Sequence, residues 1–147
     1  MRGYFAVGVY HPKKEVNVGS LWRTANILGA AFMFTVGRRY RPDNIDTTKS
    51  WRHVPLFHFD DLASLWAAAP YSCPVVGVEL HESATAIERF AHPERAIYLL
   101  GAEDHGLPPD VMKQCHHLVK LQGEVSMNVA IAGSIVLYDR LAKKVCA

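Results

Sequence analysis

Cysteine is scarce in this chain and does not cluster. Cys73, Cys115 and Cys146 lie far apart and form no C-x-x-C, which argues against a zinc site or a disulfide framework and fits a reducing cytosol. Long apolar runs are missing too: no stretch approaches the roughly 18 residues of a membrane span, and the N-terminus lacks the layout of a signal peptide. Neither sign of charge dominates. A net charge of +2 is too weak by itself to announce nucleic acid. No G-x-G-x-x-G follows any strand-like run, and the G-x-x-x-x-G of Gly101 to Gly106 lacks the Lys-Ser/Thr of a phosphate-binding loop. There is no nucleophile elbow and no Ser-His-Asp order. The histidines show no ligand spacing, and the adjacent His116 and His117 of an expected strand face opposite ways. What is left is a soluble, cytoplasmic protein with no expected metal.

What is present reads as a single domain over residues 1–147, half apolar and one fifth charged. Strand and helix signals alternate. Phe5–Tyr10 reads as a strand, and Asn17-Val18-Gly19-Ser20 opens a helix whose apolar stripe is Leu21, Ala25, Ile27 and Leu28, with Gly29 at its end. Strands follow at Ala31–Val36 and Val54–Phe59. Asp60 is placed to cap a helix through Ala69. Val75–Leu80 is the next strand, Ser83 or Thr85 starts a short helix to Phe90, and Ala96–Leu100 is a buried strand. Pro108-Pro109-Asp110 begins a helix, His117–Leu121 is a strand, and a long amphipathic helix closes the chain. This alternation implies an α/β fold with a mostly parallel sheet flanked by helices.

Charge is distributed unevenly. Arg38, Arg39 and Arg41 surround Tyr40, and Lys49, Trp51 and Arg52 follow soon after, within or beside the irregular stretch Gly37–Ser50. A breaker-rich stretch of this length reads as a functional loop. The two late strand ends, at Leu100 and Leu121, each lead into a polar or Gly-containing loop and a helix, the usual setting of an α/β ligand site.

Taken singly, the polar residues there have ordinary readings. The glycines of Gly101–Gly106 supply turn conformations or let a backbone approach an adenosine. Glu103 is a solvated glutamate or an acceptor for a hydroxyl. Asn17, Ser126 and Asn128 suit N-capping, and Arg23 suits an exposed helix face.

Three segments together resemble a known family. Asn17-Val18-Gly19-Ser20-Leu21-Trp22-Arg23-Thr24-Ala25, Leu100-Gly101-Ala102-Glu103-Asp104-His105-Gly106-Leu107-Pro108 and Ser126-Met127-Asn128-Val129-Ala130 are similar, in order, to the three motifs of the SpoU (TrmH) family. These are RNA ribose 2′-O-methyltransferases of the SPOUT superfamily. The resemblance, that of a minimal single-domain (TrmL-like) member, implies a SPOUT fold with a C-terminal trefoil knot, a homodimer and S-adenosyl-L-methionine as cofactor, with S-adenosyl-L-homocysteine as product.

By position it implies catalytic roles for Asn17, Arg23, Glu103, Ser126 and Asn128. It implies a cofactor pocket formed by Val78, Glu79, Gly101, Leu121, Ser126 and Met127. The RNA contacts inferred beside it are Arg38, Arg39, Tyr40, Arg41, Lys49, Trp51 and Arg52. A tRNA, with the anticodon loop as the expected region, is the first expectation for substrate and ribosomal RNA the second. A non-catalytic nucleotide- or RNA-binding α/β domain is the remaining alternative.

Overall fold

A computed structural model describes residues 3–41 and 49–143; Cys146 and residues 42–48 of the basic loop lie outside them. Strand β1 (Tyr4–Tyr10) leads to helix α1 (Glu15–Leu28), strand β2 (Phe32–Val36), a single 3-10 turn at Ser50–Arg52 and strand β3 (Leu56–Phe59). Helix α2 (Leu62–Ala68), strand β4 (Val75–Val78), the two-residue strand β5 (Thr85–Ala86) and a 3-10 turn at Ile87–Arg89 come next. Strand β6 (Arg95–Leu100), helix α3 (Pro109–Gln114), strand β7 (His117–Lys120) and helix α4 (Val129–Ala142) complete the order.

The strands form one sheet in the order β3-β2-β1-β6-β4-β7-β5, and every neighbouring pair is parallel. Successive side chains point to opposite faces, so both faces of the central strands must be apolar to be buried. Val7, Val9, Met33, Val76, Tyr98, Leu100 and Val119 pack under α1 and α4 on one side. Ala6, Phe34, Val36, Ile97 and Leu99 pack with Leu65 of α2 and Val111 of α3 on the other.

Four local readings are corrected. Helix α1 starts at Glu15, with Lys14 as its cap, so Asn17 lies in the first turn; Ile27 is 67% exposed and outside the apolar stripe. The cap of α2 is Asp61, whose carboxylate accepts the Ser64 N–H at 2.8 Å, whereas Asp60 faces His58 Nε2 at 3.1 Å. Residues 83–90 form no α-helix. Thr85 and Ala86 instead pair with Val119 and Lys120, because the outer edge of β7 presents unpaired backbone groups that a short strand satisfies. Finally, β4 ends at Val78, two residues before Leu80.

Among the described residues no helix is long and apolar enough to cross a membrane. No group of three or more His, Cys, Asp or Glu side chains there is arranged to hold a metal.

Candidate active site

The sheet order decides where the site lies. β6, β4 and β7 are neighbours, so the chain segments leaving Leu100, Val78 and Lys120 emerge side by side. They enclose a cleft lined by Val78, Glu79, Gly101, Leu121, Ser126 and Met127 together with Glu103 and Asp104.

The wall after β6 is a closed loop. Gly106 N–H donates to the Ala102 carbonyl at 2.9 Å, and the two residues form an isolated antiparallel bridge. A Cβ on Gly101 would sit 2.2 Å from the Gly106 carbonyl carbon and 2.4 Å from the Leu107 nitrogen, and no rotamer relieves a clash with backbone. Gly106 has φ +62°, and a Cβ there would meet Glu79 Oε2 at 2.2 Å. The turn reading therefore holds at Gly106, whose φ is positive, while Gly101 is required by the close backbone of Gly106 and Leu107. Glu79 pins it: its carboxylate accepts the Leu107 N–H at 2.6 Å and the Leu80 N–H at 2.9 Å.

Glu103 points away from that pin toward the start of α1. Its Oε1 accepts Asn17 Nδ2–H at 2.8 Å and the Lys14 N–H at 3.4 Å, and Oε2 accepts the Lys13 N–H at 3.1 Å. Asn17 is buried and passes the network on, since its Oδ1 accepts Asn128 Nδ2–H at 2.9 Å. Asn128 Oδ1 caps α4 by accepting the Ala130 and Ile131 N–H groups. Three residues from three distant segments thus form one hydrogen-bonded chain across the cleft's edge. For the Glu103 carboxyl, burial is the largest influence and acts upward. The bonds from Asn17, from its own backbone N–H and from Lys13 and Lys14 together outweigh it and hold the group below the usual glutamate range.

Arg23 is placed differently. It is exposed and does not line the cleft. On α1 it falls on one outward stripe with Val16, Ser20 and Ile27, opposite the buried Leu21 and Ala25. α4 packs beside α1, with Thr24 Oγ1 and Ser134 Oγ at 3.0 Å, and carries its own outward apolar stripe of Ile131, Ile135, Tyr138 and Leu141.

The basic residues gather on the same side of the sheet. Arg38, Arg39, Arg41, Lys49, Trp51 and Arg52 are exposed, and the Arg52 guanidinium lies 5.0 Å from the Trp51 ring centre. Tyr40 is half-buried, its ring edge-on to Trp22 at 5.9 Å, while Trp22 Nε1–H donates to the Val54 carbonyl at 2.9 Å. Trp22 therefore gathers the described ends of the basic stretch around α1.

Some residues at the site carry no signal in the sequence. Lys13 is one of two ordinary lysines before a helix, yet its ammonium pairs with the Asp104 carboxylate. A second polar cluster, buried away from the cleft, also escapes sequence reading. Arg140 is 1% exposed and donates to the Pro93 and Glu94 carbonyls at 2.6 Å and to Tyr98 Oη at 3.1 Å. Tyr98 Oη then lies 2.7 Å from His92 Nδ1, and His92 Nε2 lies 2.8 Å from Asp139 Oδ2.

Known proteins resemble this chain in sequence and in fold. The tRNA (cytidine(34)-2′-O)-methyltransferase of Ancylobacter novellus is 29% identical over 149 residues, covering 92% of this chain and 90% of that protein. The 23S rRNA (guanosine-2′-O-)-methyltransferase RlmB of Acinetobacter baylyi is 31% identical over 134 residues, covering 84% of this chain and 53% of RlmB. The tRNA (guanosine(18)-2′-O)-methyltransferase TARBP1 of Mus musculus is 25% identical over 136 residues. That match covers 86% of this chain and 8% of TARBP1, so the chain spans only part of the length of two of these relatives. A solved structure described as "Structural insights into the 2-OH methylation of C/U34 on tRNA" superposes with a TM-score of 0.83, at 21% identity and 96% coverage of both chains, and shows the same fold. With a family profile matching residues 4–138, the chain belongs to the SpoU rRNA Methylase family.

Proposed function

We propose that this protein transfers a methyl group from S-adenosyl-L-methionine to a ribose 2′-hydroxyl of RNA, with tRNA as the substrate class. The observation that carries the proposal is the hydrogen-bonded chain Glu103–Asn17–Asn128 at the edge of a cleft that also contains Gly101, Ser126 and Met127. The tRNA assignment is supported by the near full-length match to the Ancylobacter enzyme.

The cleft fits the cofactor chemically. Val78, Leu100, Val129 and Ala132 give it an apolar floor for an adenine, and Gly101 keeps the wall free of a side chain. Glu79, Glu103 and Ser126 place polar groups at its margin for the ribose and the amino-acid end. S-adenosylmethionine supplies an electrophilic methyl on a sulfonium, so neither a metal nor a covalent enzyme intermediate is required.

The protein's own task is positioning, which is worth roughly 7–11 kcal/mol when geometry is good. Glu103, held ionised, and Asn17 and Asn128 fix the loop edges that meet the ribose. Arg23 is a guanidinium, always charged and only a donor, so it acts by binding the target phosphate and stabilising the developing alkoxide. The proton leaves to a phosphate oxygen or to water.

The outward stripes of α1 and α4 support a homodimer. Together they expose Val16, Ile27, Ile131, Ile135, Tyr138 and Leu141, a surface that a second copy covers symmetrically. The α4 stripe starts beside the cleft, three residues after Asn128, so a docked copy brings its Arg23 toward this cleft. Arg38, Arg39, Arg41, Lys49 and Arg52 supply salt-dependent phosphate contacts, and exposed Trp51 offers a face for an unpaired base. The C-terminal knot belongs to the same reading. It is supported by the placement of β7 between β4 and β5, which obliges residues 79–84 to cross it.

The test is transfer of labelled methyl from S-adenosylmethionine to bulk tRNA from a strain lacking the protein, followed by nucleoside mass spectrometry. A new 2′-O-methylnucleoside is the expected product. Incorporation only into ribosomal RNA would correct the substrate, and no incorporation together with no cofactor binding would overturn the reading.

A further inference from the structure

Residues 11–14 join β1 to α1 and lie against the loop that follows β6, because β1 and β6 are neighbours in the sheet. Lys13 makes three different connections there. Its N–H donates to Glu103 Oε2 at 3.1 Å, its ammonium pairs with the Asp104 carboxylate, and its carbonyl accepts Arg38 Nη1–H at 2.9 Å. Glu103 and Asp104 both line the cleft, whereas Arg38 belongs to the basic segment. The cleft's ionisable lining is Glu79, Glu103, Asp104 and His105, with neither Lys nor Arg among the lining residues, so the ammonium that balances Asp104 comes from outside it.

We propose that Lys13 is a positioning residue that holds the Glu103–Asp104 wall of the cleft closed and ties it to the RNA-facing Arg38. The proposal rests on the reading of this cleft as the cofactor site. Its consequence is a two-way coupling. Arg38 has five N–H donors and uses Nη1 on Lys13, leaving others for a phosphate. An anion bound to them orders Arg38, hence the Lys13 carbonyl, hence the wall. By thermodynamic reciprocity, a filled cleft then strengthens polyanion binding by the same factor.

The experiment is calorimetric titration of S-adenosylhomocysteine into the wild-type protein, Lys13→Ala, Lys13→Arg, Asp104→Asn and the charge-swapped Lys13→Asp/Asp104→Lys, with and without tRNA. Thermal unfolding of each apo protein is measured alongside. Lys13→Ala keeps both backbone bonds and removes only the Asp104 contact. It and Asp104→Asn should each weaken binding roughly three- to fivefold, as suits an exposed pair, with apo melting temperatures unchanged. Lys13→Arg and the swapped pair should recover most of the loss. Addition of tRNA should tighten wild-type binding and do so less in Arg38→Ala. Wild-type protein that binds no S-adenosylhomocysteine would sink the site reading itself. Wild-type binding matched by Lys13→Ala and Asp104→Asn, or unfolding shifts that account for the losses, would overturn the role of Lys13 alone.

Discussion

Glu103 keeps its charge because three donors converge on it, and that makes it sensitive to both substitution and pH. Its folded-state pKa lies below the ordinary value of about 4.3, so its contribution to stability is complete above that value and is lost as pH falls through the depressed one. Glu103→Gln places an amide that cannot satisfy all three N–H groups. The expected cost is about 1 kcal/mol of stability at neutral pH, after allowance for solvent screening, and a loss of methyl transfer of at least about tenfold. Urea unfolding at pH 7 and 3.5 checks the first part, because the difference between the two proteins should shrink at the lower pH. His92 behaves in the same direction for another reason. Burial, the leading cause, pushes its pKa down, against the attraction of Asp139 and with the opposition of Arg140 and Lys143. Arg140 donates to Tyr98 Oη, whose own proton then goes to His92 Nδ1, leaving Nε2–H for Asp139; this chain needs a neutral ring. Burial likewise pushes the Tyr98 hydroxyl up to about 12, so it stays a donor. The stability that His92 confers is therefore full above about pH 6.5 and falls as pH drops below it. Melting curves from pH 7.5 to 5 should decline less steeply for His92→Gln than for the wild type.

At the level of elements, the loop from Gly101 to Leu107 is the most constrained part of the site. Gly101→Ala drives a Cβ into the backbone of Gly106 and Leu107 and has nowhere to go, so the expected loss is roughly 1–3 kcal/mol. Fluorescence-monitored unfolding measures it, and S-adenosylhomocysteine affinity should fall with it, because the displaced segment is the cleft wall. The same loop shows how far spacing can be read. Gly-x-x-x-x-Gly marks a turn, and the turn is there. Gly101 is required by the loop's own backbone, whereas the place of Gly106 beside Glu79 depends on β4 lying next to β6. The early helix is a parallel case. Asn17 has the chemistry of a cap and sits near the expected place, but the helix begins at Glu15, and the side chain is free to bridge Glu103 and Asn128.

For the whole molecule, the proposed dimer makes a quantitative claim. If Arg23 of one copy serves the cleft of the other, Arg23→Ala and Glu103→Gln proteins each lose most of their activity but complement one another. Mixed under conditions that exchange subunits, they should regain about a quarter of wild-type methyl transfer, because half the dimers are mixed and each holds one intact site. Mixtures no more active than the single variants would place both residues in one copy's site. Ile135→Glu with Tyr138→Glu should shift sedimentation toward the monomer and abolish activity without altering the circular dichroism of the chain.

The sequence by itself determined most of the alternation of strands and helices and the mostly parallel sheet, because apolar period is a local property. The three polar segments stand out only by their resemblance to a family's motifs, since one by one their residues read as caps, turns and solvated side chains. Residues such as Val78, Leu121 and Met127 were legible only through those segments, as nothing in an isolated valine or leucine marks a cleft. Tertiary structure alone decided which strand ends are neighbours. The order β1-β6-β4-β7 places residues 79, 103 and 126 around one opening and residue 13 against the outside of its wall, and no local pattern encodes that order. It also decided the partners of charge. Lys13 with Asp104, and Arg140 with the Glu94 carbonyl, are pairings between segments dozens of residues apart; sheet packing selects the first, at the surface, and the cost of leaving a buried polar group unpaired adds to it for the second.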